Sequence, residues 1–580
     1  MIPELWAPRA ATVDLIVGDE RHELPPSPDR PGWFEGRSQL APGTRYGFSL
    51  DGGPTLPDPR SLSQPDGVHG LSRVVDPALF TRDLRWPGAN VRGQVLYELH
   101  VGTFTEAGTF DAAIERLSHL VATGVEAVEI MPVAAFPGER GWGYDGVGLY
   151  AVHEPYGGVE GLVRFVDACH ERGLSVVLDV VHNHLGPEGN YLSAFGPYFT
   201  DRHTTPWGEA VNLDGPDSAP VRQFLLESAR HWLVSVGVDA LRLDAVHALS
   251  DDSDYHFLAE LSDASMAWAQ EVGRPLVLIA ESDLNQPDTV SPVGSSRDAV
   301  GMDAQWADDV HHALHAFFSG ERQGYYGDFG DASTVAKAFE RVFNHDGTHS
   351  TFRHQLWGAP VEADSPHYNG HSFVAFLQNH DQVGNRAVGD RFAQHASPDL
   401  QAAAAAVYLL GPYTPMIFMG EEWAASTPFP YFSHLGPELG PLVTAGRSAE
   451  FAAMGWDVPT PDPQDRDTWR SAVLRWDELW EPEHARMLAW YRTLTALRRA
   501  EPDLHNPALG QARAHVVDDV TLLLRRGAFD IALTRSPNAE VQVSPEAAVV
   551  AAWTEPEPLG GGRFLLHGPT AVVFRSQRIA

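Results

Sequence analysis

Lysine is nearly missing from this 580-residue chain, and acidic residues outnumber basic ones. Lys337 is the only lysine, and 41 basic residues against 77 acidic ones give a formal net charge of −36 at pH 7. Nucleic acids and anionic lipids bind to concentrations of positive charge, so we expect neither a nucleic acid nor a membrane as a partner. Chemistry that depends on a lysine, such as a Schiff base or a phosphate-binding loop, could use only Lys337.

Cysteine and long apolar runs are also scarce. Cys169 is the only cysteine, so it cannot form an internal disulfide, and its helical surroundings predict a small buried side chain. The most apolar stretch, residues 402–419, is interrupted by Pro412 and Pro415 and is too broken for a membrane span. Residues 1–15 lack the basic and apolar segments of a signal peptide. We therefore expect a soluble cytoplasmic protein.

Glycine and proline are abundant, with 53 and 44 residues, and their distribution divides the chain into three parts. Residues 1–87 contain short apolar runs separated by turns, which predicts an N-terminal β-sandwich. Residues 88–500 alternate short apolar runs with amphipathic segments, which predicts a catalytic (β/α)8 TIM barrel. Residues 501–580 return to alternating runs, which predicts a C-terminal antiparallel β-sandwich. The predicted fold class is therefore multidomain α/β.

Eight strand patterns and several helix patterns underlie the barrel prediction. The predicted strands are residues 95–101, 127–131, 175–181, 238–244, 276–281, 303–306, 373–379 and 415–420. The predicted helices include residues 110–123, 159–172, 221–236, 309–318 and 484–499. A loop insertion of about residues 185–216 follows the third strand, which predicts a structure added to the mouth of the barrel.

Charged residues follow several predicted strands at their carboxyl ends, where barrels of this kind carry their active sites. These positions are residues 179–184, Arg242, Asp244, Glu281 and residues 379–381. Arg242 and Asp244 are two residues apart on one strand, so both are expected to point into the barrel. Burying several acids together is unfavourable unless a cation compensates, and Arg242 is placed to do so.

Two carboxyl groups in different protonation states are what glycoside hydrolysis requires. An aspartate beside Arg242 is expected to stay ionised and to attack the substrate. Glu281 follows an apolar run and faces other carboxylates, so its pKa is expected to be raised and it can donate a proton. Asp381 would then hold sugar hydroxyls. The strand ends therefore predict a glycosidase.

The same segments resemble the four sequence regions of the α-amylase superfamily, glycoside hydrolase family 13, in order and spacing. The resemblance implies that Asp244 is the nucleophile of a retaining double displacement, Glu281 the general acid/base and Asp381 the stabiliser of the transition state. It also implies substrate-binding roles for Arg242, His184 and His380 at the cleavage point, for Tyr144 against the sugar face and for His247 on the leaving-group side.

The chain is most similar to one branch of that superfamily, the maltooligosyltrehalose trehalohydrolase family. The similarity is carried by residues 95–102, 184–191, 280–285, 377–386 and 413–423, and the N-terminal part resembles the domain that precedes the barrel in branching and debranching enzymes. The family hydrolyses the α-1,4 bond next to the terminal trehalose of maltooligosyltrehalose and releases trehalose and a malto-oligosaccharide. A role alongside a maltooligosyltrehalose synthase is implied, and no cofactor is expected.

Selectivity for a terminal trehalose requires a pocket on the leaving-group side of the cleaved bond. We expect that pocket between Glu281 and Asn379. Its candidate residues supply charge and aromatic faces and are Glu321, Tyr325, Phe352 and Arg353.

Two other functions stay open at this point, and a metal site is not predicted. A glycogen-branching or α-1,6-debranching enzyme shares the sandwich-plus-barrel plan, and a non-catalytic carbohydrate-binding protein could retain the barrel. His182 and His184 match the His-x-His of metal-dependent amidohydrolases, but on the third strand and without a strand-end lysine. Many amylases bind calcium through a residue matching Asn183, but the six or more oxygens of a calcium shell cannot be assembled from the sequence.

Overall fold

A computed structural model describes residues 1–82, 86–453 and 460–576 of the chain. The N-terminal part forms two small antiparallel sheets. Their strands are β1 (Glu4–Trp6), β2 (Val13–Val17), β3 (Glu20–Leu24), β4 (Trp33–Glu35), β5 (Arg45–Leu50), β6 (Thr55–Leu56) and β7 (Ser72–Arg73). β1 pairs with β4, and the second sheet has the order β3-β2-β5-β6 with β7 also on β5. Trp6 meets Tyr198 edge-on at 5.2 Å, so these sheets contact the insertion that follows the third barrel strand.

A closed barrel of eight parallel strands forms the middle of the molecule. The strands in this part are β8 (Leu96–Leu99), β9 (Ala127–Ile130), β10 (Ala134–Ala135), β11 (Gly148–Val152), β12 (Ser175–Val180), β13 (Phe199–Thr205), β14 (Gly208–Val211), β15 (Ala240–Leu243), β16 (Val277–Ala280), β17 (Ala304–Trp306), β18 (Thr348–Ser350), β19 (Gln355–Trp357), β20 (Phe373–Phe376) and β21 (Thr414–Phe418). The barrel order is β8-β9-β12-β15-β16-β17-β20-β21, and β10–β11, β13–β14 and β18–β19 pair outside it. The predicted fold class is confirmed.

Helices connect the barrel strands and continue to the end of the barrel. They are α1 (Val101–Phe104), α2 (Phe110–Ile114), α3 (Leu117–Thr123), α4 (Gly158–Glu171), α5 (Leu192–Phe195), α6 (Ser218–Arg230), α7 (Phe257–Val272), α8 (Asp308–Ser319), α9 (Ala332–Arg341), α10 (His380–Gly384), α11 (Phe392–His395), α12 (Pro398–Leu409), α13 (Gly440–Ala453), α14 (Arg466–Ser471), α15 (Pro482–Ala500) and α16 (Pro502–His505). Across the described ranges, no helix combines the length and apolar character that crossing a bilayer requires.

One helix prediction needs correction, and a second is confirmed with an added detail. The single helix predicted for residues 110–123 is split into α2 and α3 by a turn at Glu115 and Arg116. The helix predicted for residues 221–236 does end at Val236, and its last part, His231–Val236, is a π-helix that continues α6. Gly237 then ends it with φ of 89°, a left-handed conformation that glycine adopts without strain.

The interior of the barrel has an apolar layer below a charged one. Leu96, Ala127, Val177 and Ala240 belong to one buried cluster with residues of the other barrel strands. Side chains alternate along a strand, so the residues two positions later point the same way. Those residues are Glu98, Glu129, Asp179 and Arg242, all buried. The polar layer lies toward the carboxyl ends of the strands and forms the base of the candidate active site.

The C-terminal part contains two further antiparallel sheets. Their strands are β22 (Ala512–Asp518), β23 (Thr521–Arg526), β24 (Phe529–Thr534), β25 (Ala539–Gln542), β26 (Ala548–Ala552), β27 (Glu557–Gly560), β28 (Arg563–Leu566) and β29 (Thr570–Arg575). One sheet has the order β22-β23-β24-β29-β26 and the other β25-β28-β27. α12 lies between the barrel, α15 and the larger sheet, and every residue from Gln401 to Leu409 is buried.

Candidate active site

Arg242 is the buried cation at the base of the site. Its Nη1 donates to both oxygens of Asp179, at 3.0 and 2.9 Å, and to Asp244 Oδ1 at 2.9 Å. Its guanidinium carbon lies 4.3 Å from the ring centroid of Trp306, a cation–π contact. Burial raises the pKa of Asp179 to about 7, although Arg242 opposes the shift. One cation therefore serves two carboxyl groups.

Asp244 follows β15 and is held at both carboxylate oxygens. Oδ1 accepts the hydrogen bond from Arg242, and Oδ2 accepts one from Asn183 Nδ2 at 2.8 Å. Asn183 Nδ2 also donates to the backbone oxygen of Asp244 at 2.6 Å. These donors orient the carboxylate and stabilise its negative charge, which suits a nucleophile. Asn183 is thus engaged with Asp244 itself.

Glu281 follows β16 and stands beside Asp244. Its Oε2 accepts a hydrogen bond from the backbone N–H of Ala245 at 2.6 Å and lies 3.7 Å from Arg242 Nη2. Burial raises the pKa of Glu281, and the charges of Asp244 and Asp381 add to that rise while Arg242 opposes it. The direction agrees with the expectation from the sequence. A carboxyl group that keeps its proton can act as a general acid.

His380 lies beneath Asp381 and is almost completely buried. Its Nδ1 is 2.5 Å from Glu98 Oε1, and its backbone N–H donates to Glu98 Oε2 at 3.0 Å. Its Nε2 is 3.4 Å from Asp381 Oδ2. Burial lowers the pKa of His380, but the charges of Asp381 and Glu98 outweigh burial and raise it to about 9. The ring is therefore an imidazolium near neutral pH.

A cavity of about 1090 Å³, here called the acid cleft, opens above these groups. Its lining includes Tyr144, His184, Trp207, Asp244, His247, Glu281 and Asp381. Tyr144 stacks on the ring of His380 at 5.1 Å and donates from its hydroxyl to Asp179 at 2.6 Å. His184 stacks on Trp207 at 4.3 Å, and the Trp207 side chain is half exposed. The cleft thus combines carboxylates with aromatic faces that suit a sugar chain.

A second cavity of about 700 Å³, here called the side chamber, lies next to the acid cleft. Its lining includes Asp283, Asp308, Glu321, Tyr325, Phe352, Arg353, Trp357 and Asp381. Asp381 and Asn385 line both cavities. Asp283 follows Glu281 at the end of the same strand, so the side chamber lies on the Glu281 side of the carboxylate group. Its volume is in the usual range for small-molecule sites.

The sequence-predicted site residues fall into three groups. Asp244, Glu281, Asp381, Tyr144, His184 and His247 line the acid cleft, whereas Glu321, Tyr325, Phe352 and Arg353 line the side chamber. Arg242 and His380 lie buried below. His247 therefore stands on the wall of the acid cleft and not in the side chamber.

Glu321 and Arg353 are held by ion pairs. Arg386 donates to both oxygens of Glu321, at 2.8 and 2.9 Å, and His315 Nε2 lies 2.6 Å from Glu321 Oε2. Arg353 contacts Asp283 at 2.5 Å, and its guanidinium carbon lies 4.4 Å from the Trp357 ring centroid. Glu321 thus supports the chamber wall, with its carboxylate already satisfied by a cation.

Trp207 and Asp308 line the cavities but were not predicted from the sequence. Trp207 lies in the turn between β13 and β14, inside the insertion, where no strand-end rule applies. Asp308 begins α8, two positions after the short strand β17 ends, so a search just beyond the strand ends would have found it. Burial, with the charges of Glu281 and Asp381 adding to it, raises the pKa of Asp308 well above its ordinary value.

Two groups of side chains in the described part of the chain bring possible metal ligands within 4.8 Å of one another. They are His315, Glu321 and His395, and His203, Asp214 and Asp252. In the first group, Arg386 already occupies both Glu321 oxygens. In the second, Arg202 approaches Asp214 Oδ1 at 3.8 Å. A cation at each group competes with a metal ion for the carboxylate.

Comparison with known proteins identifies the class that this fold and site define. The family model described as the alpha amylase catalytic domain matches residues 80–200. A crystal structure from Salmonella typhimurium, named as a candidate alpha amylase, is 35% identical with a TM-score of 0.90, covering 99% of this chain and 97% of its own. A parallel barrel with carboxylates at this mouth is the plan of the glycoside hydrolases of the α-amylase superfamily.

Full-length relatives define the family. The malto-oligosyltrehalose trehalohydrolase of Arthrobacter ramosus is 49% identical over 98% of this chain and 99% of its own length. That of Mycobacterium tuberculosis is 47% identical over 95% of each chain. The chain belongs to the malto-oligosyltrehalose trehalohydrolase family.

Proposed function

We propose that this chain hydrolyses the α-1,4-glucosidic bond next to the terminal trehalose of maltooligosyltrehalose and releases trehalose and a malto-oligosaccharide. The observation that carries the proposal is that Asp381 lines both the acid cleft and the side chamber. A glucan that passes Asp381 would place one part in each cavity, with the scissile bond beside Asp244 and Glu281. The names of the relatives supply the substrate class.

The first chemical step joins Asp244 to the glucan. Asp244, held by Arg242 and Asn183, attacks the anomeric carbon of the sugar in the acid cleft, and the bond to the trehalose oxygen breaks. Glu281 gives its proton to that oxygen, and its raised pKa keeps the proton available. Asp381 and the imidazolium of His380 would bind hydroxyls of the same sugar. Trehalose leaves with the proton that Glu281 held.

The second step restores the enzyme. Glu281, now a carboxylate, takes a proton from water, and the resulting hydroxide equivalent attacks the anomeric carbon as the bond to Asp244 breaks. Two displacements at one carbon retain its configuration. The products are free Asp244, protonated Glu281 and a malto-oligosaccharide with a new reducing end.

The side chamber is the proposed site of the trehalose unit. A general acid stands on the leaving-group side of the bond, and the residues after Glu281, Asp283 and Asn285, line the side chamber. Phe352, Tyr325 and Trp357 offer faces to the apolar sides of the glucose rings. The acid cleft would then hold the malto-oligosaccharide, with Trp207 as an outer platform.

A product assay tests the function. The protein is incubated separately with maltooligosyltrehalose, with a malto-oligosaccharide reduced at its end and with a branched glucan, and the products are separated by chromatography. We expect trehalose from the first substrate at a rate far above any cleavage of the other two. A Glu281→Gln preparation purified in the same way controls for contaminating hydrolases. Cleavage of the branched glucan without release of trehalose would replace the proposal with a debranching function.

The substrate also constrains the setting. Maltooligosyltrehalose must be made by an enzyme that converts the reducing end of a malto-oligosaccharide into an α,α-1,1-linked pair, so we further propose that the chain acts after such a synthase. A cytoplasmic location is part of the same proposal.

A further inference from the structure

We propose that Glu98 is a positioning residue for this reaction, because its carboxylate fixes the orientation of His380 below the bound sugar. The inference deepens the proposed function and rests on it. Glu98 points inward from β8 and touches neither cavity. It would therefore act through His380, without contact to the substrate.

The Glu98 carboxylate contacts both the side chain and the backbone of His380. One oxygen lies 2.5 Å from His380 Nδ1, and the other accepts from the backbone N–H of His380 at 3.0 Å. Both side chains are only 1% exposed. A bidentate carboxylate restrains the backbone and the ring together, so the ring cannot turn without losing a charge-assisted hydrogen bond.

The aromatic neighbours of His380 fix the plane of its ring but not the identity of its atoms. Tyr144 stacks on the ring at 5.1 Å, and Trp142 and Trp306 meet it edge-on at 5.6 and 6.0 Å. Such contacts hardly distinguish nitrogen from carbon. Glu98 supplies that distinction, because only Nδ1 can donate to it, and it thereby leaves Nε2 facing Asp381.

Glu98 also determines which nitrogen can donate to the substrate. An ionised Glu98 only accepts, so Nδ1 carries a hydrogen, and a neutral ring would then leave Nε2 without one. Nε2 donates only in the imidazolium, and within the described residues it has no hydrogen-bond partner. The charged or titratable groups facing His380 are Glu98 of β8, Glu129 of β9, Asp179 of β12, Arg242 of β15, His100 before α1, Tyr144 and Asp381. Asp381 and Glu98 keep its pKa high.

The pH profile of a Glu98→Gln variant tests the role. Glutamine keeps the size and one acceptor but loses the charge, so we expect kcat/KM to fall about tenfold or more at its optimum. In the parent enzyme, loss of the Glu281 proton sets the alkaline limb. In the variant His380 also loses its proton in this range, so the limb should steepen and move about one pH unit lower. An unmoved limb would overturn the proposal.

Glu422→Gln is the matched control. Glu422 is another buried glutamate next to β8: it lies 2.9 Å from His119 Nε2 and accepts from the Tyr97 hydroxyl at 3.1 Å, outside both cavities. We expect it to lower thermal stability while kcat/KM stays within about twofold and the limb keeps its position. An equal loss of kcat/KM in both variants would show that Glu98 has a purely structural role.

A double-mutant cycle separates action through His380 from action elsewhere. If Glu98 works by orienting His380, Glu98→Gln should add less than about twofold to the loss already caused by His380→Gln. If the losses of the two single variants instead multiply in the double variant, Glu98 does not act through His380. Should Glu98→Gln fail to fold, Glu98→Asp keeps the charge and should keep the alkaline limb of the parent at a reduced kcat/KM; a shifted limb would again contradict the proposal.

The two proposals fail in distinguishable ways. The profiles are measured with whichever α-glucan the parent enzyme hydrolyses. Absence of trehalose among the products contradicts the proposed function, whereas parent-like profiles in the Glu98 variants contradict only the positioning role.

Discussion

The acid cleft and the side chamber share Asp381 but hold their other carboxylates in different ways. In and below the cleft, the single guanidinium of Arg242 serves Asp179 and Asp244 and reaches Glu281 only at 3.7 Å. In the chamber, Asp283 pairs with Arg353 and Glu321 with Arg386. Burial raises the pKa of Glu281, the charges of Asp244 and Asp381 add to that rise, and the distant Arg242 does not offset it. Each of these two chamber carboxylates has an arginine within 2.8 Å, which holds the chamber wall in place.

Removing the proton donor should have the largest effect of the variants that probe this comparison. Glu281→Gln is expected to lower kcat by about 10²- to 10⁴-fold, because the amide cannot protonate the leaving oxygen. Binding of the oligosaccharide should persist, since the variant loses an interaction of the transition state only. Steady-state kinetics and calorimetric binding measure the two effects.

The chamber offers the contrast for that variant. Glu321→Gln removes a carboxylate charge that pairs with Arg386 and takes no part in proton transfer. The kcat of this variant should therefore stay within about tenfold of the parent value. Near-normal turnover in Glu281→Gln, or a deeper loss in Glu321→Gln, would contradict the assignment of proton transfer to the acid cleft and of a supporting role to Glu321 in the side chamber.

Removing the cations should rank second and should separate the two kinds of pairing. Arg242→Met leaves Asp179 and Asp244 buried without compensation, and we expect a loss of about 3–5 kcal/mol of stability. Arg386→Met breaks the ion pairs with Glu321 and Asp390, whose carboxylates are partly exposed, and should cost about 1–2 kcal/mol. The midpoints of thermal unfolding report the order. Equal falls in the two midpoints would mean that the fully buried Arg242 stabilises the protein no more than the partly exposed Arg386.

The smallest effect is expected from one aromatic platform in each cavity. Phe352→Ala should raise KM for maltooligosyltrehalose about tenfold while leaving the dependence on glucan length unchanged. Trp207→Ala should instead change the dependence on glucan length, by reducing the advantage of longer glucans. A series of maltooligosyltrehaloses of increasing length measures both. If Phe352→Ala changes the dependence on glucan length, the malto-oligosaccharide occupies the side chamber and the trehalose unit the acid cleft.

The fold was largely predictable because its signals are local. Short apolar runs mark the barrel strands, and glycines mark the ends of several helices, all along the barrel segment. The split between α2 and α3 has no such mark, since Glu115 and Arg116 are ordinary helix residues and the turn depends on packing. The sequence likewise gives no sign that the helix becomes a π-helix after Arg230.

The candidate site was predictable only where one rule applies. Asp244, Glu281 and Asp381 follow barrel strands, so strand parity and the common mouth bring them together. Trp207 reaches the cleft through a hairpin whose position no periodicity encodes. The Glu321–Arg386 pair joins residues 65 positions apart that follow no barrel strand. Such contacts depend on how the connections fold over the barrel.

The all-round burial of α12 has a consequence for how this protein could be divided or recombined. Trp490 Nε1 donates to the Ala402 backbone oxygen on one side at 2.9 Å, and Trp553 Nε1 donates to Asp399 on the other at 2.6 Å. A gene cut after α15 would leave a helix of alanine, valine and leucine facing water. The C-terminal sheet is therefore no exchangeable cassette, and fusions or truncations of this enzyme should keep it with the barrel.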